Sequence, residues 1–116
     1  MKAPTLDIDG LQVIVARGFF ARLVGLLGQR TLAPGHALLI TPCNNVHTFF
    51  MRFAIDVVFI DRDGAVLAIV PHLAPWRVAA ALRAHACLEL AAGGAVLCNL
   101  AVGRRLPQLT AASLAR

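Results

Sequence analysis

The sequence contains no tyrosine, a single tryptophan, a single lysine and only six carboxylates among 116 residues. Nucleic-acid surfaces need clustered basic residues with stacking aromatics between them. Here the ten arginines are dispersed, with Arg104-Arg105 the only adjacent pair, and the phenylalanines sit in core-like patterns, which argues against a nucleic-acid partner. The formal charge of +5 could favour anionic partners through long-range attraction, although such dispersion reads as an ordinary solvated surface. Charged residues make up 15% of the chain against 59% hydrophobic ones, which argues for a well-buried globular domain over a disordered chain and leaves apolar surface to spare for an interface. Cysteine is also sparse: Cys43, Cys87 and Cys98 are odd in number, widely spaced and without a CxxC pair, so they read as reduced thiols and not as a disulfide framework. Long apolar runs are missing. The longest stretch free of charged side chains, Thr31 to Met51, is broken by Pro34, Gly35, His36, Pro42, Asn44, Asn45 and His47, whereas a spanning helix needs about 20 predominantly apolar residues. MKAPTLDIDG lacks the features of a signal peptide, so the expectation is a cytoplasmic protein with no transmembrane segment.

The length fits one domain, expected over residues 10–109, with an N-terminal extension at 1–9 and a disordered tail at 110–116. Leu11 to Val15 reads as a first strand. From Phe19 the period changes: Phe19, Leu23 and Leu27, joined by Phe20 and Val24, form one face of an amphipathic helix with Gly28 as its stop. Leu38 to Ile40 is a second apolar run. Val46 to Phe53 reads as extended, and Asp56 to Asp61, apolar on both faces, as a covered inner strand. Arg62-Asp63-Gly64 turns the chain into a hairpin partner from Ala65 to Val70, with Gly64 supplying a positive φ. Pro71 to Trp76 reads as a connection and Val78 to Ala84 as a short helix or helical turn. A strand from Cys87 to Leu90, a short helix from Ala95 to Leu100 and a last strand from Arg104 to Leu109 complete the series. The expected fold is mainly β, a sandwich or partly closed barrel with one or two short helices, with α+β as the alternative.

One series of residues matches a known pattern. Arg22-x-x-Gly25-Leu26-Leu27, Leu38-Leu39-Ile40, then Cys43-x-x-x-His47-Thr48-x-x-Met51-x-x-x-x-Asp56-Val57-x-Phe59-Ile60-Asp61-x-x-Gly64-x-Val66, then Leu88-Glu89-Leu90-x-x-Gly93 and finally Gly103 resemble the DUF192 (UPF0127) family across residues 10 to 109. The resemblance implies a compact, mostly β domain and brings no reaction, ligand or catalytic residue with it. It also suggests, from the gene surroundings of relatives, an accessory role in secretion or pilus assembly. The acidic residue usual after the late glycine is replaced by Arg104.

The unusual side chains concentrate between Cys43 and Asp56, and Cys43, Asn45, His47, Thr48, Met51, Arg52 and Asp56 are the candidate ligand-binding residues. A metal centre is not expected: in an extended segment His47 and Met51 share a face but stand about 13 Å apart, too far for one ion. No cofactor is expected either. A thiol enzyme would use Cys43 activated by His47, with Asp56 or an asparagine orienting the imidazole, and a metal-dependent enzyme is the related alternative. The reading preferred here is a non-catalytic accessory module that binds a small molecule or protein in a site walled by Phe49, Phe53 and the Asp56 strand. Against it stands a purely structural role in which Thr48 and Asp56 satisfy backbone donors at strand ends. Glu89 alternates away from Leu88 and Leu90 and is expected to be solvated or paired with an arginine. Trp76 reads as a loop aromatic that covers a core edge or anchors a partner.

Overall fold

The structure, a computed structural model, describes residues 5–17 and 35–114. Its centre is a mixed six-stranded sheet in the order β1-β2-β3-β8-β5-β6, formed by β1 (Thr5–Ile8), β2 (Leu11–Arg17), β3 (His36–Thr41), β5 (Ile55–Ile60), β6 (Val66–Leu73) and β8 (Ala86–Ala91). Only β2 and β3 run parallel; the other neighbours are antiparallel. A separate ribbon pairs β4 (Asn45–His47) with β7 (Val78–Ala80). The fold is therefore mainly β and sandwich-like, and among the described residues the large sheet does not close into a barrel, since β1 and β6 remain at its edges.

Alternation along the inner strands divides the core between the two faces of the sheet. Val13, Leu39, Val58, Ile60, Leu88 and Leu90 point to one face, where Ala95, Leu106, Leu109 and Leu114 cover them. Leu38, Ile40, Ile55, Val57, Phe59 and Cys87 point to the other, where Val46 and Met51 lie against them. Strands β5 and β8 are buried on both faces, which is why IDVVFI and ACLEL read as nearly continuous apolar runs. Glu89 belongs to the second face and is completely buried, so the expectation of a solvated carboxylate there is overturned.

The hairpin through Asp61 to Gly64 forms as expected, with Gly64 at φ 79. Strand β6 continues past Val70 through Pro71 to Leu73, which an edge strand allows because an outward N–H is dispensable there. Three expectations fail. Val78 to Ala84 gives strand β7 and a turn in place of a helix, because pairing of Val78 to Ala80 with β4 outweighs the helix propensity of alanine. Extended backbone from Val46 stops at His47, and Thr48 to Met51 is a turn closed by Met51 N–H donating to Thr48 O at 3.2 Å. Arg104 to Leu109 makes only an isolated bridge between Ala65 and Arg105, then a 3₁₀ turn at Pro107–Leu109, since Pro107 has no N–H for a ladder. The short helix after Gly93 spans Gly94–Leu97.

Two segments outside the expected domain limits carry structure. Thr5–Ile8 pairs antiparallel with β2, and Ala111–Leu114 is a helical turn whose Leu114 is buried in the core. The helix expected from Phe19, and with it Arg22, Gly25, Leu26 and Leu27, lies outside the described residues.

Candidate functional site

Two turns meet at one end of the β4–β7 ribbon, and Thr48 locks them together. Its hydroxyl donates to Ala74 O at 2.6 Å and accepts from Arg77 N at 2.9 Å, so it stands as a relay across the Ala74-Pro75-Trp76-Arg77 turn. Its own N–H donates to Arg77 O at 2.9 Å, and its carbonyl accepts from Met51 and Trp76 N–H at 3.2 and 3.0 Å. With every polar group used and no surface exposed, Thr48 is the fastener of the site and not one of its contact groups. Thr48→Val, which keeps the shape but strands a carbonyl and an N–H, is expected to cost about 2–3 kcal/mol. Thr48→Ser is expected to cost about 1 kcal/mol or less. Urea unfolding midpoints of the two variants check this.

The fastened turns carry aromatic side chains outward. Phe49, Phe50 and Trp76 are 38%, 67% and 55% exposed, and Val78 beside them is 62% exposed. The Phe49 ring stacks on His47 at 4.8 Å and on Trp76 at 5.8 Å, and Phe50 tilts against Trp76 at 4.7 Å. Ribbon alternation explains the rest of this face. Val46 and Ala79 turn inward to the core, so the cross-strand pairs His47–Val78 and Asn45–Ala80 turn outward. The outer face of the ribbon is thus free of formal charge, and it continues into the aromatic ridge.

The backbone beneath the ridge is strained. Phe50 sits at φ 68 and Trp76 at φ 64, the third position of each turn, where glycine or asparagine is favoured. A left-handed conformation costs a residue with a Cβ roughly 1–2 kcal/mol, and a bulky aromatic is a poor occupant on conformational grounds alone.

The other candidate residues disperse. Cys43 is half-buried, its thiol donating to Asn45 O at 2.9 Å, and Cys87 Sγ lies 3.4 Å from Cys43 O. All three cysteines are outside disulfides. Asn45 is exposed and its amide donates to Asn44 Oδ1 at 2.9 Å. Met51 is buried in the core, and Arg52, next after the turn, is exposed. The extended geometry that set His47 about 13 Å from Met51 is replaced by the turn; the two still part, His47 outward and Met51 inward. Asp56 turns to the opposite face of the sheet. Its Oδ1 accepts from His72 N at 2.9 Å, and its Oδ2 from Gly93 and Ala95 N at 3.1 and 3.0 Å. An orienting contact from Asp56 to His47 is therefore absent from the arrangement. Among the described residues no group of three or more His, Cys, Asp or Glu side chains is placed to hold a metal ion.

A cleft of about 610 Å³ lies elsewhere, lined in part by Asp9, Leu97, Cys98, Asn99 and Arg104. Its arginine is engaged: the Arg104 guanidinium donates to Cys98 O and Asn99 O and pairs with Asp9. Trp76 is legible in the sequence as a loop aromatic, whereas Phe50 is the residue that sequence reasoning misses. The signal for Trp76 was Pro75 before it, which presets the second position of a turn and puts tryptophan in the third; nothing comparable marks Phe50.

The family model of DUF192, described as uncharacterised ACR, matches residues 4–108, and the chain belongs to that family. A UPF0127 protein of Pyrococcus abyssi is 36% identical over 73 residues, covering 58% of this chain; the chain spans 59% of that relative's length. Two solved structures share the fold. A Sinorhizobium meliloti 1021 protein, provisionally called a transcription regulator, superposes with a TM-score of 0.72 at 24% identity over 82% of this chain and 79% of its own. A Novosphingobium aromaticivorans protein of unknown function gives 0.70 at 18% identity over 87% and 80%.

Proposed function

We propose that this DUF192 protein is a non-catalytic binding module whose contact surface is the ridge of Phe49, Phe50 and Trp76, continued by His47, Asn45 and Val78. One observation carries the reading: two exposed aromatics occupy strained left-handed positions on turns that Thr48 holds rigid. A fold gains little from an aromatic that is more than half in water, and gains less when the backbone under it would prefer glycine or asparagine. Tryptophan is among the residues that most often dominate binding energy at interfaces, and a preorganised surface lowers the entropy cost of binding. The thiol is best accounted for as a donor to backbone, and the protein as a cytoplasmic one whose cysteines stay reduced.

The experiment is a stability measurement on Phe50→Asn and Trp76→Asn. Relief of about 1 kcal/mol of backbone strain offsets about 0.5–1.5 kcal/mol of aromatic pairing, so both variants are expected to unfold within about 1 kcal/mol of the parent. A loss above about 2 kcal/mol in either would make the ridge a structural plate and overturn the proposal.

A further inference from the structure

The charge around the ridge is one-sided. No Asp or Glu occurs between residues 42 and 55 or between residues 64 and 88, the two segments that build the ribbon and both turns. Two exposed arginines adjoin the turns in the chain, Arg52 next after the first and Arg77 as the last residue of the second, its guanidinium donating to Trp76 O at 3.3 Å, and exposed Arg83 lies at the other end of the ribbon. The six carboxylates are all elsewhere. Asp56 and Glu89 are buried. Asp61 and Asp63 sit in the hairpin at the far end of β5 and β6, about 20 Å along the strands. Asp7 and Asp9 belong to the β1–β2 edge, five strand spacings of roughly 4.8 Å from β6. A surface of projecting apolar rings with arginines behind them, and no acid nearby, is complementary to something apolar within and anionic at its boundary.

We infer that the ridge docks on an anionic phospholipid bilayer surface, with Phe50 and Trp76 entering the headgroup region and Arg52 and Arg77 meeting lipid phosphates. This rests on the contact-surface reading above and specifies its occupant. The rings stand on turns and are more than half exposed, as a contact that must enter lipid requires; a peptide would be better served by a groove. Tryptophan settles at the membrane–water boundary, where its ring is apolar on one side and its N–H is wet on the other. Arginine supplies paired donors to phosphate oxygens. The docking uses side chains on two turns; no helix among the described residues is long and apolar enough to cross a membrane.

Trp76 is the only tryptophan of the chain, so its emission reports the site without labelling. The test titrates the whole protein with vesicles of phosphatidylcholine alone and of phosphatidylcholine with about one third phosphatidylglycerol, following Trp76 emission, acrylamide quenching and co-sedimentation. The expected result is a shift to shorter wavelength, reduced quenching and a preference of about thirty-fold for the anionic vesicles, two arginines' worth, falling as salt is raised. Arg52→Glu combined with Arg77→Glu is expected to abolish that preference, and Phe50→Asn to weaken binding at least about tenfold. No response to anionic vesicles overturns the proposal. So does a Trp76 response confined to a glutamate-rich peptide, which would assign the ridge to an acidic protein, or one that follows protein concentration alone, which would assign it to a second copy. In those cases Asn variants of unchanged stability would leave the contact surface standing, whereas destabilised ones would remove both readings.

Discussion

Asp56→Ala is expected to destabilise the fold by about 3–5 kcal/mol, a large part of the stability of a domain this size. The carboxylate does three jobs at once. Strand β6 carries one residue more than β5 between the pairs Val57–Val70 and Ile55–Leu73, a bulge at Pro71-His72 where His72 is left-handed at φ 50. That bulge removes the His72 N–H from the ladder, and Asp56 Oδ1 accepts it. Oδ2 accepts Gly93 and Ala95 N–H at the start of the Gly94–Leu97 helix, so one side chain ties the edge strand to the turn that follows β8. Alanine leaves three donors without their acceptor, each worth about 1–3 kcal/mol when buried, with local relaxation recovering part of the sum. Asp56→Asn is expected to do nearly as badly, because its amide NH₂ must face a backbone N–H where an oxygen is required. Guanidinium or urea unfolding of both variants measures the effect. Small losses, below about 1 kcal/mol in both, would show that the three donors find other partners.

The same residue shows what the sequence could and could not reveal. The strand through Asp56 was legible because a run buried on both faces has few alternatives, and strand alternation puts Asp56 and Val57 on opposite sides. That the Asp56 carboxylate serves backbone donors is one of the two readings the sequence offers; which donors it meets was not legible, since they lie in a bulge fifteen residues later and a turn nearly forty residues later. Proximity in sequence to His47 suggested a shared site; His47 turns outward from the separate ribbon, and Asp56 points to the opposite face of the large sheet. The ribbon failed for the same kind of reason. Val78 to Ala84 has the composition of a helix, and only its pairing with β4, thirty residues upstream, makes it a strand. Thr48 reads in the sequence both as a site residue and as a backbone fastener, and the backbone it bonds belongs to Ala74, Trp76 and Arg77, 26 to 29 residues downstream, and to Met51 of its own turn. Local periodicity carried the sheet, therefore, while the assignment of polar side chains was decided by contacts that only the folded chain brings together.

Gly64→Ala is expected to cost about 3–4 kcal/mol, and its comparison with Gly103→Ala separates the two reasons why. Both glycines are left-handed, at φ 79 and φ 92, so alanine at either position pays roughly 1–2 kcal/mol of backbone strain. At Gly103 a new Cβ meets nothing within 4 Å, and strain is the whole cost. At Gly64 the Cβ would collide with the carbonyl oxygen of Leu106, a backbone atom with little room to give. That approach is close because the hairpin turn is a docking point: Leu106 N–H donates to Gly64 O at 2.7 Å, and Ala111 N–H to Arg62 O at 2.7 Å. Pushing the Leu106 backbone away disturbs the segment that brings Leu106, Leu109 and Leu114 onto the core. The excess of Gly64→Ala over Gly103→Ala, expected at about 2 kcal/mol in unfolding free energy, is therefore the cost of the collision and of the packing it loosens. Equal losses at the two positions would mean that the C-terminal segment moves aside freely, and that its three leucines contribute little to holding the sheet.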